Sequence, residues 1–255
     1  IDIAIVGKYL EYPDSYISVK EALRHAGVAN DSEINIRWVH SEEIEQLGTE
    51  SLLDTVSGIV VPGGFGPRGV EGMIDTAHYA RSHKIPYLGL CLGMQVMVIE
   101  WARNVLKLSA NSSELDPLTE HPVIHIMSDQ KEVIDKGGTM RLGSYPCEPV
   151  KGTVSARAYG CGEVLERHRH RFEFNNSYRE LLEESGLIIS GLSPDGSLVE
   201  ITEVKEHPFM LGTQFHPEFR SRPHCPHPLF KEFVSLAKST VREGYQRPLP
   251  LLGDS

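Results

Sequence analysis

Cysteine is scarce in this chain: four in 255 residues, at Cys91, Cys147, Cys161 and Cys225. None pairs with another at C-x-x-C spacing, which argues against a zinc ribbon or a dithiol redox motif. The density is also too low for a disulfide-stapled secreted domain, so a reducing, cytoplasmic setting is expected. Positive charge is in deficit, with a formal net charge of −10. Non-specific nucleic-acid binders usually carry a basic stripe, so no nucleic-acid partner is expected. No apolar run approaches the ~18 residues that span a bilayer, and the opening residues do not read as a signal peptide. No membrane partner is expected either. An internal repeat, a dividing linker and the phosphate loop G-x-x-x-x-G-K-[ST] are all missing.

What is present suits one large soluble domain: 40% hydrophobic and 24% charged residues, enough for a sizeable core. The chain begins at Ile1 inside the apolar run Ile1–Val6, as if cut from a longer protein. The first hundred residues alternate in pattern. Strands are expected at Asp2–Val6, around Ile34, Ile36 and Trp38, at Gly58–Val61 and at Ile85–Leu90. Helices are expected from a cap at Asp14 to Gly27, over Met73–Ser82 and over Met94–Val105. This rhythm predicts an α/β fold, a doubly wound, mostly parallel sheet flanked by helices. A smaller β-rich segment follows. There, short strands are expected at Thr139–Leu142 and Thr153–Ala158, then at Leu187–Leu192, Leu198–Val204 and Phe209–Phe215. Leu229 to Ala237 recur at helical spacing. Residues 1–246 read as one domain and 247–255 as a loose tail.

Gly89-Leu90-Cys91-Leu92-Gly93 lies where a buried strand meets a helix. This is the layout of the G-x-S-x-G nucleophile elbow with Cys in place of Ser. A nucleophile in a strained turn needs small neighbours, and Gly89 and Gly93 supply that room. The following helix points its first N–H groups at the sulfur, favouring thiolate and offering an oxyanion donor. A lone cysteine is more often a core residue; the flanking glycines at a strand–helix junction shift that balance.

The strand around Phe209–Phe215 leads into His216-Pro217-Glu218. In an extended segment residues i and i+2 share a face, and Pro217 holds His216 out of the helical region. Glu218 is thereby expected to orient His216 as the base of a triad. Pro62-Gly63-Gly64-Phe65-Gly66 follows another buried strand, and its N–H groups are candidates for an oxyanion hole with the Leu92 N–H. Gly64, Gly66 and Gly69 match G-x-G-x-x-G in letters but lack its acidic partner, so dinucleotide binding is not expected.

Gly89 to Gln95 and Gln214 to Glu218 together resemble the paired signatures of class I glutamine amidotransferase domains. Several runs bring the resemblance closer to the CTP-forming branch of that family: Val6-Gly7-Lys8-Tyr9, Pro62–Gly66, Gly137–Gly143, Glu166–Glu173 and Phe219–Pro223. It covers nearly the whole chain, and in this order the runs are highly specific. The resemblance implies Cys91, His216 and Glu218 as the triad, and Gly64 and Leu92 as oxyanion donors. It implies Gln95, Glu114 and Arg171 around the charged end of L-glutamine, and Arg68 in a regulatory lid. No cofactor is implied for this domain. A missing synthetase domain of the same chain is implied as partner. With that domain the full protein would bind ATP, UTP, Mg and a GTP effector, convert UTP to CTP, and assemble as a homotetramer. Without it, the domain is expected to hydrolyse glutamine poorly. Rival readings are a γ-glutamyl hydrolase or cysteine peptidase on the same scaffold, or a non-catalytic regulatory module.

Two imidazole-rich runs raise the question of metal. His168 and His170 fall on one face of a strand, and His224-Cys225-Pro226-His227 has a similar look. Neither has a further ligand set. No metal is expected, and solvated or interface roles are assigned to both runs.

Overall fold

A computed structural model describes residues 1–12, 14–126, 140–160 and 162–240. Strand β1 (Asp2–Gly7) lies beside β2 (Asn35–His40) on one side and β3 (Gly58–Val61) on the other, all parallel. Next come β4 (Tyr87–Leu90) and β12 (Met210–Thr213), still parallel. The sheet then changes character. β11 (Val199–Val204), β10 (Leu187–Leu192), β7 (Arg141–Pro149) and β8 (Val164–His170) continue it, each antiparallel to its neighbour. Among the described residues the result is one mixed sheet of nine strands. A second sheet of three strands, β5 (Ala110–Ser112), β6 (His121–Ile126) and β9 (Phe172–Phe174), forms the smaller β-rich part.

The parallel half is parallel because helices cross over between its strands. α1 (Ile17–Ala29) links β1 to β2, and α4 (Val70–His83) links β3 to β4. α5 (Leu92–Asn104) leaves β4. Both β3 and β4 are buried throughout, as uncharged runs covered on two faces must be. One face packs Val61, Met73, Ala77, Met94 and Met97; the other packs Val19, Leu23, Leu88, Phe230 and Phe233. The second set includes α8 (Pro228–Ser239), the amphipathic closing helix. Each fully buried Leu or Phe contributes about 1.5–3 kcal/mol.

Several expectations shift at element boundaries. α1 starts at Ile17 behind Tyr16, with no side-chain cap, rather than from Asp14, and runs past Gly27. α2 (Ser41–Leu47) and α3 (Thr49–Leu53) were not foreseen. The expected strand over Thr153–Ala158 is a helix, α6 (Val154–Tyr159). Its polar–apolar alternation is overruled by capping: Thr153 Oγ1 accepts from the Ala156 N–H at 3.3 Å. The buried Glu203 carboxylate accepts from the N–H groups of Val154 and Ser155 at 3.0 and 2.7 Å. α7 (Arg179–Glu184) was also not foreseen. Gly137, Gly138 and Thr139 of the run Gly137–Gly143, Cys161 and the tail 247–255 lie outside the described residues.

The β7–β8 hairpin curls back toward the parallel half. The Arg167 carbonyl accepts from the His216 N–H at 2.8 Å, just beyond the end of β12. This return brings the far edge of the sheet onto the carboxyl ends of the parallel strands, where open α/β sheets bind ligands.

Candidate active site

Cys91 sits between β4 and α5 with φ 53° and ψ −100°. A non-glycine residue there carries a backbone strain of about 1–3 kcal/mol, sustained only where its surroundings enforce it. They do. The Cys91 N–H donates to the Thr213 carbonyl at 2.7 Å, and its own carbonyl accepts from Met94 and Gln95 at 3.1 and 3.2 Å. A Cβ on Gly93 would stand 2.0 Å from the Val61 carbonyl oxygen, and one on Gly89 2.5 Å from the Gly93 backbone. The elbow therefore closes only with glycine on both sides of the cysteine.

His216 and Glu218 meet by a route other than the extended one expected. Pro217–Arg220 is a 3-10 turn with His216 at its head. The tight turn, not strand alternation, brings His216 Nδ1 within 2.8 Å of Glu218 Oε1. Because a carboxylate only accepts, Nδ1 carries the proton, which leaves Nε2 for Cys91. Nε2 is sealed from solvent and has no well-formed hydrogen bond among the described residues. Burial alone would lower the His216 pKa, but Glu218 and the nearby Cys91 together hold it well above its ordinary value. The arrangement favours an imidazolium beside the sulfur. Phe219 stacks on the imidazole with ring centroids 5.3 Å apart.

A cavity of about 340 Å³ opens on one side of Cys91, lined by Gly64, Gln95, Glu114, Arg169 and Arg171 among others. A second of about 340 Å³ opens on the other side, toward Tyr9, Ser15, His216 and Glu218. Cys91, Gly64, Phe65 and Arg169 border both, and the Arg169 guanidinium lies 5.9 Å from the Phe65 ring centre. The structure thus brings Glu114 and Arg171, from separate segments of the chain, to one cavity with Cys91. One carboxylate and one guanidinium suit the charged end of a free amino acid. Gly64 also packs against Leu92: its missing Cβ would be 3.3 Å from Leu92 Cδ2.

Arg68 lines neither cavity. It pairs with Glu42 at 2.6 Å and Glu11 at 3.4 Å, and donates to the Lys8 carbonyl at 2.7 Å. These bonds tie the glycine-rich loop to the segment after β1. His168 and His170, assigned solvated or interface roles from the sequence, are instead buried. His168 Nδ1 lies 3.0 Å from His170 Nε2, and His170 Nδ1 lies 3.0 Å from the Phe172 carbonyl. That carbonyl fixes both tautomers as neutral donors along the chain. Burial, reinforced by Arg141, depresses both imidazole pKa values, to about 3 for His170. Among the described residues no cluster of His, Cys, Asp and Glu is arranged to hold a metal.

Lys8 belongs to the run Val6-Gly7-Lys8-Tyr9, and the sequence alone points to no role for it. It is buried, and donates to the carbonyls of Phe65 and Gly66, while Glu114 Oε1 accepts from the Gly66 N–H at 3.2 Å. Burial lowers the Lys8 pKa to about 8, opposed mainly by Glu114. Lys8 and Glu114 thus clamp one loop from two sides. A lysine directly after a buried strand was the available signal.

Comparison with known proteins places this geometry. A family profile described as glutamine amidotransferase class-I matches residues 11–236. A solved structure described as the Trypanosoma brucei CTPS glutaminase domain with bound acivicin superposes with a TM-score of 0.87. It is 40% identical, with 94% of each chain covered. The chain belongs to the class I glutamine amidotransferase family. Within it, the chain is 62% identical over 251 residues to a CTP synthase of Roseiflexus castenholzii, covering 98% of this chain and 45% of that protein. A CTP synthase of Chloroflexus aurantiacus is 58% identical over 253 residues, with 99% and 46% covered. The chain therefore spans about half the length of these curated relatives.

Proposed function

We propose that this chain is the glutaminase domain of a CTP synthase. In this reading it hydrolyses L-glutamine to glutamate and ammonia, and passes the ammonia to a synthetase domain that makes CTP from UTP with ATP and Mg. One observation carries the reading: Cys91 borders two adjoining cavities, one lined by Glu114 and Arg171 and the other by the hydrogen-bonded His216–Glu218 pair. Arg171 holds the substrate α-carboxylate and Glu114 the α-ammonium, with Gln95 lining the same cavity. The Cys91 thiolate adds to the side-chain carboxamide carbon. The N–H groups of Gly64 and Leu92 stabilise the oxyanion, each contributing about 3–4 kcal/mol. The C–N bond breaks as His216 Nε2 gives its proton to the leaving nitrogen, releasing ammonia and leaving a γ-glutamyl thioester. His216 then takes a proton from water, whose oxygen displaces the sulfur and frees glutamate. Glu218 remains ionised and orients His216 throughout.

The domain reading extends over 1–246, with 247–255 as a tail. The likeness to CTP synthases supports a cytoplasmic enzyme, GTP as effector and a tetrameric parent. No helix among the described residues is long and apolar enough to cross a membrane.

The test is covalent labelling with a glutamine-like electrophile, mapped by mass spectrometry beside Cys91→Ala. Modification of Cys91 alone, blocked by excess glutamine, is the expected result. Labelling spread over Cys147, Cys161 and Cys225 would move the regulatory-module reading ahead. Protection by a γ-glutamyl peptide but not by glutamine would favour a γ-glutamyl hydrolase.

A further inference from the structure

Gln214 lies between the last residue of β12 and the His216 turn, and is buried. Its Nε2 stands 3.7 Å from Cys91 Sγ, within reach of an N–H···S hydrogen bond. The orientation of a carboxamide is ambiguous by shape alone, but here the partners decide it. Gln95 Nε2 lies 3.1 Å from the Phe172 carbonyl, which can only accept, so the Gln95 NH2 group must face it. The same Nε2 lies 3.2 Å from Gln214 Oε1. Turning Gln214 over would set two NH2 groups against each other and aim an oxygen at the sulfur. The chain from Phe172 through Gln95 therefore leaves Gln214 with a single sensible orientation, its N–H toward Cys91. Its backbone N–H is also held, donating to the Glu200 carbonyl at 2.9 Å.

Ionisation of Cys91 changes what the sulfur needs. As a thiol it can donate to the Arg169 carbonyl, 4.0 Å away. As a thiolate it loses that donor and faces the carbonyl oxygen with like polarity. A side-chain N–H fixed beside the sulfur then gains strength, because hydrogen bonds to charged groups are about twice as strong as neutral ones.

We propose that Gln214 is a further catalytic residue, whose side-chain N–H stabilises the Cys91 thiolate and holds it toward the substrate carbon, with Gln95 as its positioning residue. This rests on Cys91 being the nucleophile. It gives the buried glutamine before Phe215 a function separate from the neighbouring His216. The imidazolium supplies a mobile proton, whereas the carboxamide supplies a donor that never leaves.

The experiment follows the pH dependence of Cys91 alkylation by iodoacetamide, read by mass spectrometry, in the wild-type chain, Gln214→Met and Gln214→Glu. Cys147 and Cys225 in the same digest serve as internal references. Met matches the size of Gln without the donor; Glu matches its shape with a negative charge. The expected midpoints rise in the order wild type, Met, Glu. The Met variant should shift by about one pH unit, equal to about tenfold less thiolate at a fixed pH below the midpoint. Its kcat for glutamine should fall by about as much, with KM within about twofold. Coincident midpoints in all three proteins would overturn the proposal and leave Gln214 as core packing. If neither Gln214 variant folds, Gln95→Met removes the bond that orients Gln214. An upward shift there supports the inference, and an unchanged midpoint overturns it. Failure of the nucleophile reading looks different: wild-type Cys91 would then alkylate no faster than Cys225, whatever occupies position 214.

Discussion

The two halves of the large sheet bury side chains of opposite character. In the parallel half, β3 and β4 carry aliphatic side chains, glycine and Tyr87, whose hydroxyl donates to the Gly93 carbonyl at 2.8 Å, and apolar side chains pack both faces. In the antiparallel half, Glu166, His168 and His170 on β8 and Glu200 and Glu203 on β11 are all buried. Arg141 on β7 is buried with them, bonded to Glu200 at 2.7 Å and facing the Tyr145 ring at 4.5 Å. Hydrocarbon packing tolerates a strained turn at its edge, and Cys91 sits there. A polar lattice instead fixes direction, because each donor must meet an acceptor. The antiparallel half brings Arg169, His170 and Arg171, at the end of β8, to the cavity beside Cys91. In the proposed reading the parallel half carries the triad and the oxyanion loop, the antiparallel half contributes Arg171, and Gln95 on α5 and Glu114 after β5 complete the glutamine contacts.

The sharpest break between the halves should come at Cys91. Cys91→Ala is expected to reduce glutamine hydrolysis by about 10³-fold or more while leaving glutamine binding intact, as for loss of a covalent nucleophile. Single-turnover assays and calorimetric titration of glutamine check it. If binding falls with turnover, the two halves are not separable in function.

Stability should divide the halves next. Arg141→Met leaves the Glu200 carboxylate buried without its guanidinium and should cost about 3–5 kcal/mol. Adding Glu200→Leu removes the stranded charge and should recover much of that loss. In the parallel half, Leu88→Ala should cost about 2–5 kcal/mol with no companion substitution that restores it, since the missing contacts are volume. Urea denaturation of the four proteins measures all of this. Equal losses in the single and double polar variants would mean that the Arg141–Glu200 pair is held by packing like the rest.

Acid sharpens the same contrast. His168 and His170 have folded pKa values far below the ordinary 6.5, because burial and Arg141 disfavour their charged forms. A depressed folded pKa means that the native state resists protonation. The stability linked to it is complete above pH 6.5 and is lost as pH falls below it. Between pH 6.5 and 5 each imidazole should remove about 2 kcal/mol. His216 has the opposite sign: its raised pKa contributes stability at low pH, which fades as pH rises through the raised value. Denaturant midpoints from pH 8 to 5 should fall on the acid side. Replacing His170 with Gln should flatten that fall.

At the mouth of the cavity the effect should be smaller and confined to recognition. Arg171→Gln should raise KM for glutamine by about tenfold, the worth of one partly exposed charged hydrogen bond, with kcat changed little. Steady-state kinetics decide this. A loss confined to kcat would place Arg171 with the chemistry instead.

The parallel half was legible because its signals are local. Gly89 and Gly93 around Cys91, the apolar runs of β3 and β4, and His216 near Glu218 all fall within a few residues of one another. What was misjudged even there was the path: a 3-10 turn does what an extended segment was expected to do. The antiparallel half was less legible because its buried polar residues look like surface ones. His168 and His170 read as solvated, since nothing nearby announces that Arg141 and Glu200 will meet them. Glu114 and Arg171 emerged from resemblance alone, and only the curled hairpin and the second sheet bring them together.

Helix α6 is the smallest instance of the same difficulty, and it yields the finest test. Thr153-Val154-Ser155-Ala156-Arg157-Ala158 alternates like a strand, yet two caps make it a helix. One is local, from Thr153, and one is distant, from Glu203 on β11. Thr153→Ala should cost about 1 kcal/mol, a fall of about 2–4 °C in Tm for a chain of this size. Thr153→Ser should be close to neutral. Glu203→Gln should cost more, because the carboxylate accepts two buried N–H groups and an amide oxygen accepts them more weakly. If Thr153→Ala and Glu203→Gln cost the same, the local cap is as strong as the distant one, and the sequence held enough to predict the helix. If Glu203→Gln dominates, α6 exists because of a partner 48 residues away from Ser155. No reading of its own six residues would then have found it.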